Sequence, residues 1–183
     1  ADFSPDEALL AKDGGTYKEL QDAINKISPA VELGKAITKA KEFDGSRSWE
    51  KFEKIYANTE STVTELNDAT ALVNSLVALK TAINAGIDLD QAHDYSASTA
   101  IYNSDDSKKA DVDTETTRVN AFVSLKKKLD EATAGYPAVD FSEAKTAYDN
   151  TQSDAKTLAE AEAKIGELQD AYDIAHATVD KPG

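Results

Sequence analysis

One step of 46 residues runs through this chain, and it constrains the fold more than any other feature. Residues 73–83 read VNSLVALKTAI and residues 119–129 read VNAFVSLKKKL. The same step aligns Phe3, Trp49, Tyr95 and Phe141 without gaps. It also aligns Leu10, Tyr56, Tyr102 and Tyr148, preceded by Leu9, Ile55, Ile101 and Ala147. Leu20, Leu66, Val112 and Leu158 form a further column, as do Ile27, Val73, Val119 and Ile165, and Ala30, Leu76, Phe122 and Leu168. The columns of Leu33, Leu79 and Leu125 and of Ile37, Ile83 and Leu129 hold for three repeats and fade in the fourth. Apolar positions persist while surface residues drift, which is the mark of tandem duplication around one packing problem.

Each repeat reads as two helical parts. The first is short, as in Trp49 to Asn58, and opens after Ser48, Asp94 or Asp140, all good N-caps. In the first repeat Ser4-Pro-Asp-Glu7 reads as a capping box with proline at the first helical position. Ser61, Ser107 and Ser153 are candidate caps for the second helix, and Thr16 with Glu19 and Thr62 with Glu65 read as capping boxes. From Thr62 to about Gly86 no proline or glycine interrupts, and Leu66, Val73, Leu76, Val77, Leu79 and Ile83 fall at helical spacing. Pro29 is expected to kink or split the first long helix near Ser28.

A short helix plus a long one cannot bury its own core. Sharing solves this: the first half of a long helix packs on the short helix before it, and the second half on the short helix after it. The expected fold is all-α, with tandem three-helix bundles that share long continuous helices. A partial repeat over 1–29 precedes bundles at 30–76, 77–122 and 123–168, and 169–183 is a helix end and linker. The expected outline is an elongated, spectrin-like rod, roughly 80–110 Å long. The expected core is Phe3, Trp49, Tyr95, Phe141, Ile55, Ile101, Leu66, Val73, Leu76, Leu79, Ile83, Val119, Phe122, Leu125, Leu129, Ile165 and Leu168.

Charge narrows the partners. A net charge of -14 disfavours nucleic acid and anionic membrane surfaces. The absence of cysteine removes disulfides, thiol chemistry and Cys-built zinc sites, and suits either the cytosol or the surface of a bacterium whose exported proteins avoid disulfides. No unbroken apolar run reaches membrane-spanning length, so no membrane insertion is expected. The start, ADFSPDE, carries no secretory pattern, so any leader was either removed or never included.

With the columns in place, the segment from Leu33 to Ile83 resembles the FIVAR domain ("found in various architectures") of Gram-positive bacterial surface proteins. The matching features are Leu33 with Ala36-Ile37, the Phe43-Asp44 turn, Ser48-Trp49, Ile55-Tyr56, and Val73, Leu76, Leu79 and Ala82-Ile83. Repeats three and four depart from it, with Tyr95 and Phe141 in place of tryptophan. The resemblance implies a helical bundle in a cell-wall-associated adhesin or a secreted carbohydrate-active enzyme, serving as stalk, spacer or accessory binding unit. It carries no catalytic residues to transfer, and no LPxTG-like sorting signal lies within the segment.

Chemistry-bearing residues were weighed against plain structural roles. His93 and His176 are the only histidines, sit in non-equivalent columns, and are expected to face solvent. Asp88, Asp90 and Asp94, or Asp111, Asp113 and Glu115, suggest calcium at first sight. An EF-hand loop fails, because Ala92 stands at position five of the first and Thr116 at the glycine of the second. Lys126-Lys127-Lys128 is expected on a solvated face. The aromatic columns are expected as core rather than as a glycan-stacking surface, with the hydroxyls of Tyr56, Tyr102 and Tyr148 reaching outward.

The reading is therefore a non-catalytic, extracellular stalk or spacer of a bacterial surface protein, needing no metal or cofactor and expected to be monomeric. Its partners would be neighbouring domains of a larger protein. The alternative is an adhesive module for a host protein or glycan, which predicts an apolar patch on one bundle that the others lack. An enzyme or an intracellular coiled-coil scaffold fits less well.

Overall fold

The computed structural model describes residues 17–177, and every regular element among them is an α-helix. Three long helices of 27 residues are α1 (Tyr17–Phe43), α3 (Val63–Leu89) and α5 (Lys109–Gly135). Three short helices of 8 residues follow them, α2 (Glu50–Ala57), α4 (Ser96–Asn103) and α6 (Ser142–Asp149). The last is α7 (Ala155–Ala177), of 23 residues. The bounds of α2, α4 and α6, and of α3 and α5, recur at the repeat step, so the duplication seen in sequence is a duplication of helix pairs.

Local capping explains the boundaries. Ser48, Asp94 and Asp140 each accept a bond from the amide two residues on, that of Glu50, Ser96 or Ser142, but the cap position of α2 and α6 falls one residue later than expected, on Trp49 and Phe141, which make no side-chain cap bond. The capping box of α3 is complete: Glu65 N–H donates to Thr62 Oγ1 at 3.2 Å, and Thr62 N–H donates to Glu65 Oε2 at 2.7 Å. Ser61 and Ser153 differ from expectation. Their hydroxyls are buried and turn back to the carbonyls of Ile55 and Ala147, each at 2.8 Å, tying off the short helix instead of starting the next. The cap falls one residue later, on Thr62 and on Asp154, which accepts from Thr157 N–H at 2.7 Å. The expected boxes at Ser4–Glu7 and at Thr16–Glu19 lie outside the described residues, wholly or in part.

Pro29 does not split the first helix. α1 runs unbroken from Tyr17 to Phe43 with Pro29 inside it. Proline removes one backbone donor, but Ala30, Leu33, Ala36, Ile37 and Ala40 just beyond it are buried and hold the helix in place.

The chain divides into two compact units. The first takes the described residues up to Ala78 together with Tyr102–Val112, and the second takes Leu79–Ile101 with the described residues from Asp113 onward. In the first unit Leu33, Ala40, Trp49, Phe52, Val73, Leu76, Tyr102 and Val112 are buried. In the second, Phe122, Leu125, Leu129, Ala132, Phe141, Ala144, Tyr148, Leu158 and Ile165 form one cluster, and Leu79, Ile83, Tyr95 and Val119 are buried as well. Of the expected core, Ile55, Ile101 and Leu168 are only half-buried, and Phe3 lies outside the described residues.

Among the described residues one helix, α3, has the length and apolar composition that could cross a membrane, contrary to expectation. Its apolar side chains Leu66, Val73, Leu76, Leu79 and Ile83 are buried within protein, and Glu65, Asp68, Lys80 and Asp88 lie along it.

Two glycines test the packing. A methyl on Gly86 would stand 2.5 Å from Cζ and Oη of the buried Tyr95 ring, whereas one on Gly166 in α7 meets nothing within 4 Å. We expect Gly166→Ala to raise stability by about 1 kcal/mol through helix propensity. Gly86→Ala should lower it despite the same propensity gain, as urea unfolding midpoints of the two variants will show.

Candidate functional site

The short helices carry a recurring cluster built around one column. Arg47 and His93 occupy equivalent positions in successive repeats, and Val139 follows them. Each stands two residues before the buried aromatic, Trp49, Tyr95 or Phe141.

In the first unit the Arg47 guanidinium lies 4.7 Å from the Trp49 ring centroid, 5.5 Å from that of Tyr102 and 5.9 Å from that of Phe52. Its Nε donates to the Tyr102 carbonyl at 2.8 Å, Nη1 to the Ser48 carbonyl at 2.6 Å and Nη2 to the Ser104 carbonyl at 3.3 Å. These bonds satisfy a charge that is almost wholly buried, with Asp105 3.6 Å away. The Tyr102 and Ser104 carbonyls belong to the last residue but one of α4 and the turn after it, so Arg47 ties two repeats together. Tyr102 Oη then donates to Asp44 Oδ2 at 2.9 Å.

The second unit repeats the plan with a different centre. His93 lies 4.7 Å from the ring centroid of Tyr95 and 4.6 Å from those of Phe122 and Tyr148. Tyr148 Oη donates to Asp90 Oδ2 at 2.9 Å, one repeat step on from the Tyr102–Asp44 bond. The hydroxyls of Tyr102 and Tyr148 are thus internal, against the expectation that they reach solvent, and burial followed by the bond to Asp44 or Asp90 pushes both phenols well above their ordinary range. Of the three tyrosines in that column only Tyr56 is half-exposed. His93 is half-buried and packed on aromatic rings, also against expectation. His176 is exposed and stacks on Tyr172 at 3.8 Å.

A polar network in the second unit replaces apolar packing. Ser98 is fully buried in the column of Phe52 and Ala144, and Glu115 is buried in the column of Ala69 and Ala161. Ser98 Oγ donates to Glu115 Oε1. Arg118 grips Glu115 through Nη2 to Oε1 at 2.6 Å and Nε to Oε2 at 2.9 Å, and its Nη1 donates to the Thr151 carbonyl at 2.7 Å. Burial alone would raise the Glu115 pKa, but the bonds from Arg118 and Ser98 outweigh it and hold the carboxyl below its ordinary range. Glu115 is one of the acids of the calcium pattern excluded above. Its signal in the sequence is an acid in a column of alanines.

Two open grooves complete the picture. One, of about 700 Å³, is lined by Lys126, Leu129, Val139, Lys145 and Tyr148 among others, and the other, of about 660 Å³, by Gly34, Ile37, Lys41, Glu53 and Tyr56 among others. They share columns: Ile37 with Leu129, Glu53 with Lys145, and Tyr56 with Tyr148. Lys126 and Lys145 are paired with Asp130 and Asp149, and Lys41 with Glu53. Among the described residues no group of three His, Asp or Glu side chains is placed to hold a metal ion. Asp90 is engaged by Tyr148 and the Ala92 amide, and Asp94 by the Ser96 amide. The rings of Trp49, Tyr95 and Phe141 are buried and offer no stacking platform. No protein family, no curated protein and no solved structure was found to match this chain.

The network and the histidine each make a prediction. Glu115→Ala leaves Arg118 largely buried without its partner and should cost about 3 kcal/mol. Adding Arg118→Leu recreates the Ala69–Leu72 pair of the preceding repeat and should recover most of that loss in a denaturant titration. Burial lowers the His93 pKa below 6.5, with Asp90 opposing, Arg118 assisting, and Asp149 and Asp94 opposing. Because the folded value lies below the unfolded one, the unfolded chain takes the proton first. The stabilisation is complete above about pH 6.5 and is lost as pH falls through the folded value. Urea titrations should therefore show wild type weakening as pH falls below 6.5, with His93→Phe flatter there.

Proposed function

We propose that this chain is a non-catalytic stalk or spacer segment, built of tandem three-helix bundles that share long helices, and that it projects a neighbouring domain from a bacterial cell surface. One observation carries the reading: α3 is uninterrupted, yet it buries Val73 and Leu76 in the first unit and Leu79 and Ile83 in the second. A helix shared by successive packing units is what a stalk of this kind would need. The engaged state of Arg47, Glu115, Arg118, Tyr102 and Tyr148 supports the same reading, since groups satisfied internally serve packing. The extracellular setting rests on the FIVAR resemblance and the absence of cysteine.

The adhesive reading draws on a different observation, an apolar seam exposed on α1 and without a match on the later long helices.

Small-angle scattering tests the stalk. A rod with a maximum dimension of roughly 80–110 Å is the expected result, and a compact particle would sink the proposal.

A further inference from the structure

Arg47, His93 and Val139 share one column and treat charge in three ways. Arg47 is always charged, and the carbonyls of Tyr102, Ser48 and Ser104 hold that charge. Val139 carries none. His93 is the member whose charge changes near neutral pH. Its ring lies 4.7 Å from the Tyr95 centroid and 4.6 Å from those of Phe122 and Tyr148. Among the described residues no hydrogen bond of the kind that holds Arg47 acts on that ring, only burial and nearby charges.

The neutral ring suits this place and the charged one does not. A half-buried imidazolium gives up water and gains no carbonyl in return. Arg118 already sets a guanidinium 5.3 Å from the Phe122 centroid, which opposes a second cation on that ring. Asp90 and Asp94 face His93 from its own turn, Arg118 from α5 and Asp149 from α6. Arg118 is paired with Glu115 and Asp149 with Lys145, and Lys126 acts on Asp90. Burial keeps the phenols of Tyr95 and Tyr148 above their ordinary range, so they stay neutral. Asp94 and Asp149 are exposed and Asp90 half-buried, so a charged ring finds water and anions by turning outward.

The two ends of α4 are held differently. In the first unit its last turn is tied by Arg47 to the Tyr102 carbonyl and by the Tyr102–Asp44 bond. In the second unit its first turn is tied by the buried Tyr95, against which His93 packs, and by Ser98 bonded to Glu115. Burial works against the Glu115 charge, but the bonds from Arg118 and Ser98 hold its carboxyl below the ordinary range. Among these groups His93 is the one that changes charge between about pH 5 and about pH 8.

We propose that His93 is an acid-released latch on the turn between α3 and α4, residues 90–95. Neutral, it packs among Tyr95, Phe122 and Tyr148 and keeps the turn closed. Protonated, it leaves the rings for water and the carboxylates of Asp90, Asp94 and Asp149, and the turn loosens. The Ser98–Glu115–Arg118 network and the Arg47 end of α4 hold meanwhile, so the release is local rather than a loss of overall stability. Burial sets the folded value below 6.5, so the closed turn is favoured above that pH and lost as pH falls. Such a latch works whether or not the chain is a stalk.

Backbone hydrogen exchange of the whole chain, corrected for intrinsic rates, tests this at about pH 8 and about pH 5. The reporter is the Thr99 amide, which donates to the Tyr95 carbonyl, and the control is its repeat equivalent, Glu53, which donates to the Trp49 carbonyl. Wild type should lose protection at Thr99 in acid and keep it at Glu53. His93→Phe and His93→Val, the latter the residue of the next repeat, should keep Thr99 protected at both values. In proton NMR the His93 ring should lose its ring-current shifts as it titrates. Unchanged protection of Thr99 in wild type overturns the latch. An equal loss in both variants also overturns it and assigns the response to carboxylates. A loss spread evenly over the second unit overturns it too, leaving His93 a contributor to overall stability only. If neither variant folds, the wild-type ring decides: ring-current shifts that persist in acid sink the proposal. Scattering by wild type at the upper pH reports on the stalk alone, so the two ideas fail separately.

Discussion

The structure depends on covering each long helix with a short one that begins in a buried aromatic. Trp49, Tyr95 and Phe141 are each at most 7% exposed and stand where a short helix starts. Burying such a ring contributes about 2–3 kcal/mol, a large term for a helix of only two turns that would not form alone. The aromatic therefore holds the short helix, and the short helix closes the apolar stripe of the long ones.

Around that anchor the repeats solve one problem in different chemical ways. The residue two before the aromatic is a buried cation in one repeat, a half-buried imidazole in the next and a valine in the last. Arg47 is held by three carbonyls and three ring faces, so its charge is compatible with burial. His93 has the rings, and its surroundings favour the neutral form. The tyrosine–aspartate bond spans the same number of residues in both units, from Tyr102 to Asp44 and from Tyr148 to Asp90, which makes it a feature of the repeat rather than of either unit.

Much of the architecture was legible because periodicity reports burial directly. The columns of Leu79 and Ile83 picked out residues that are all buried, and Val73, Val119, Ile165, Leu76 and Phe122 are almost wholly inaccessible too, whereas Ile27 is exposed and Leu168 half-buried. The departures have physical causes. Ser61 and Ser153 read as caps by residue type, yet a serine hydroxyl serves equally well when bonded back to a carbonyl six residues earlier. Pro29 read as a break, but burial on its C-terminal side outweighs one missing backbone donor. The column of Phe52, Ser98 and Ala144 escaped notice because its residues differ in size and polarity, although all three are buried.

By itself the sequence determined the helical class, the repeat step, the alternation of short and long helices and most of the core, since spacing and capping are local properties. Only the tertiary structure decided that Tyr102 and Tyr148 turn inward to aspartates, that Arg47 sits among three rings, and that Ser98, Glu115 and Arg118 form one network. Those partners lie 2 to 58 residues apart, and a pattern along the chain records which positions are buried but not which polar atoms meet once they are.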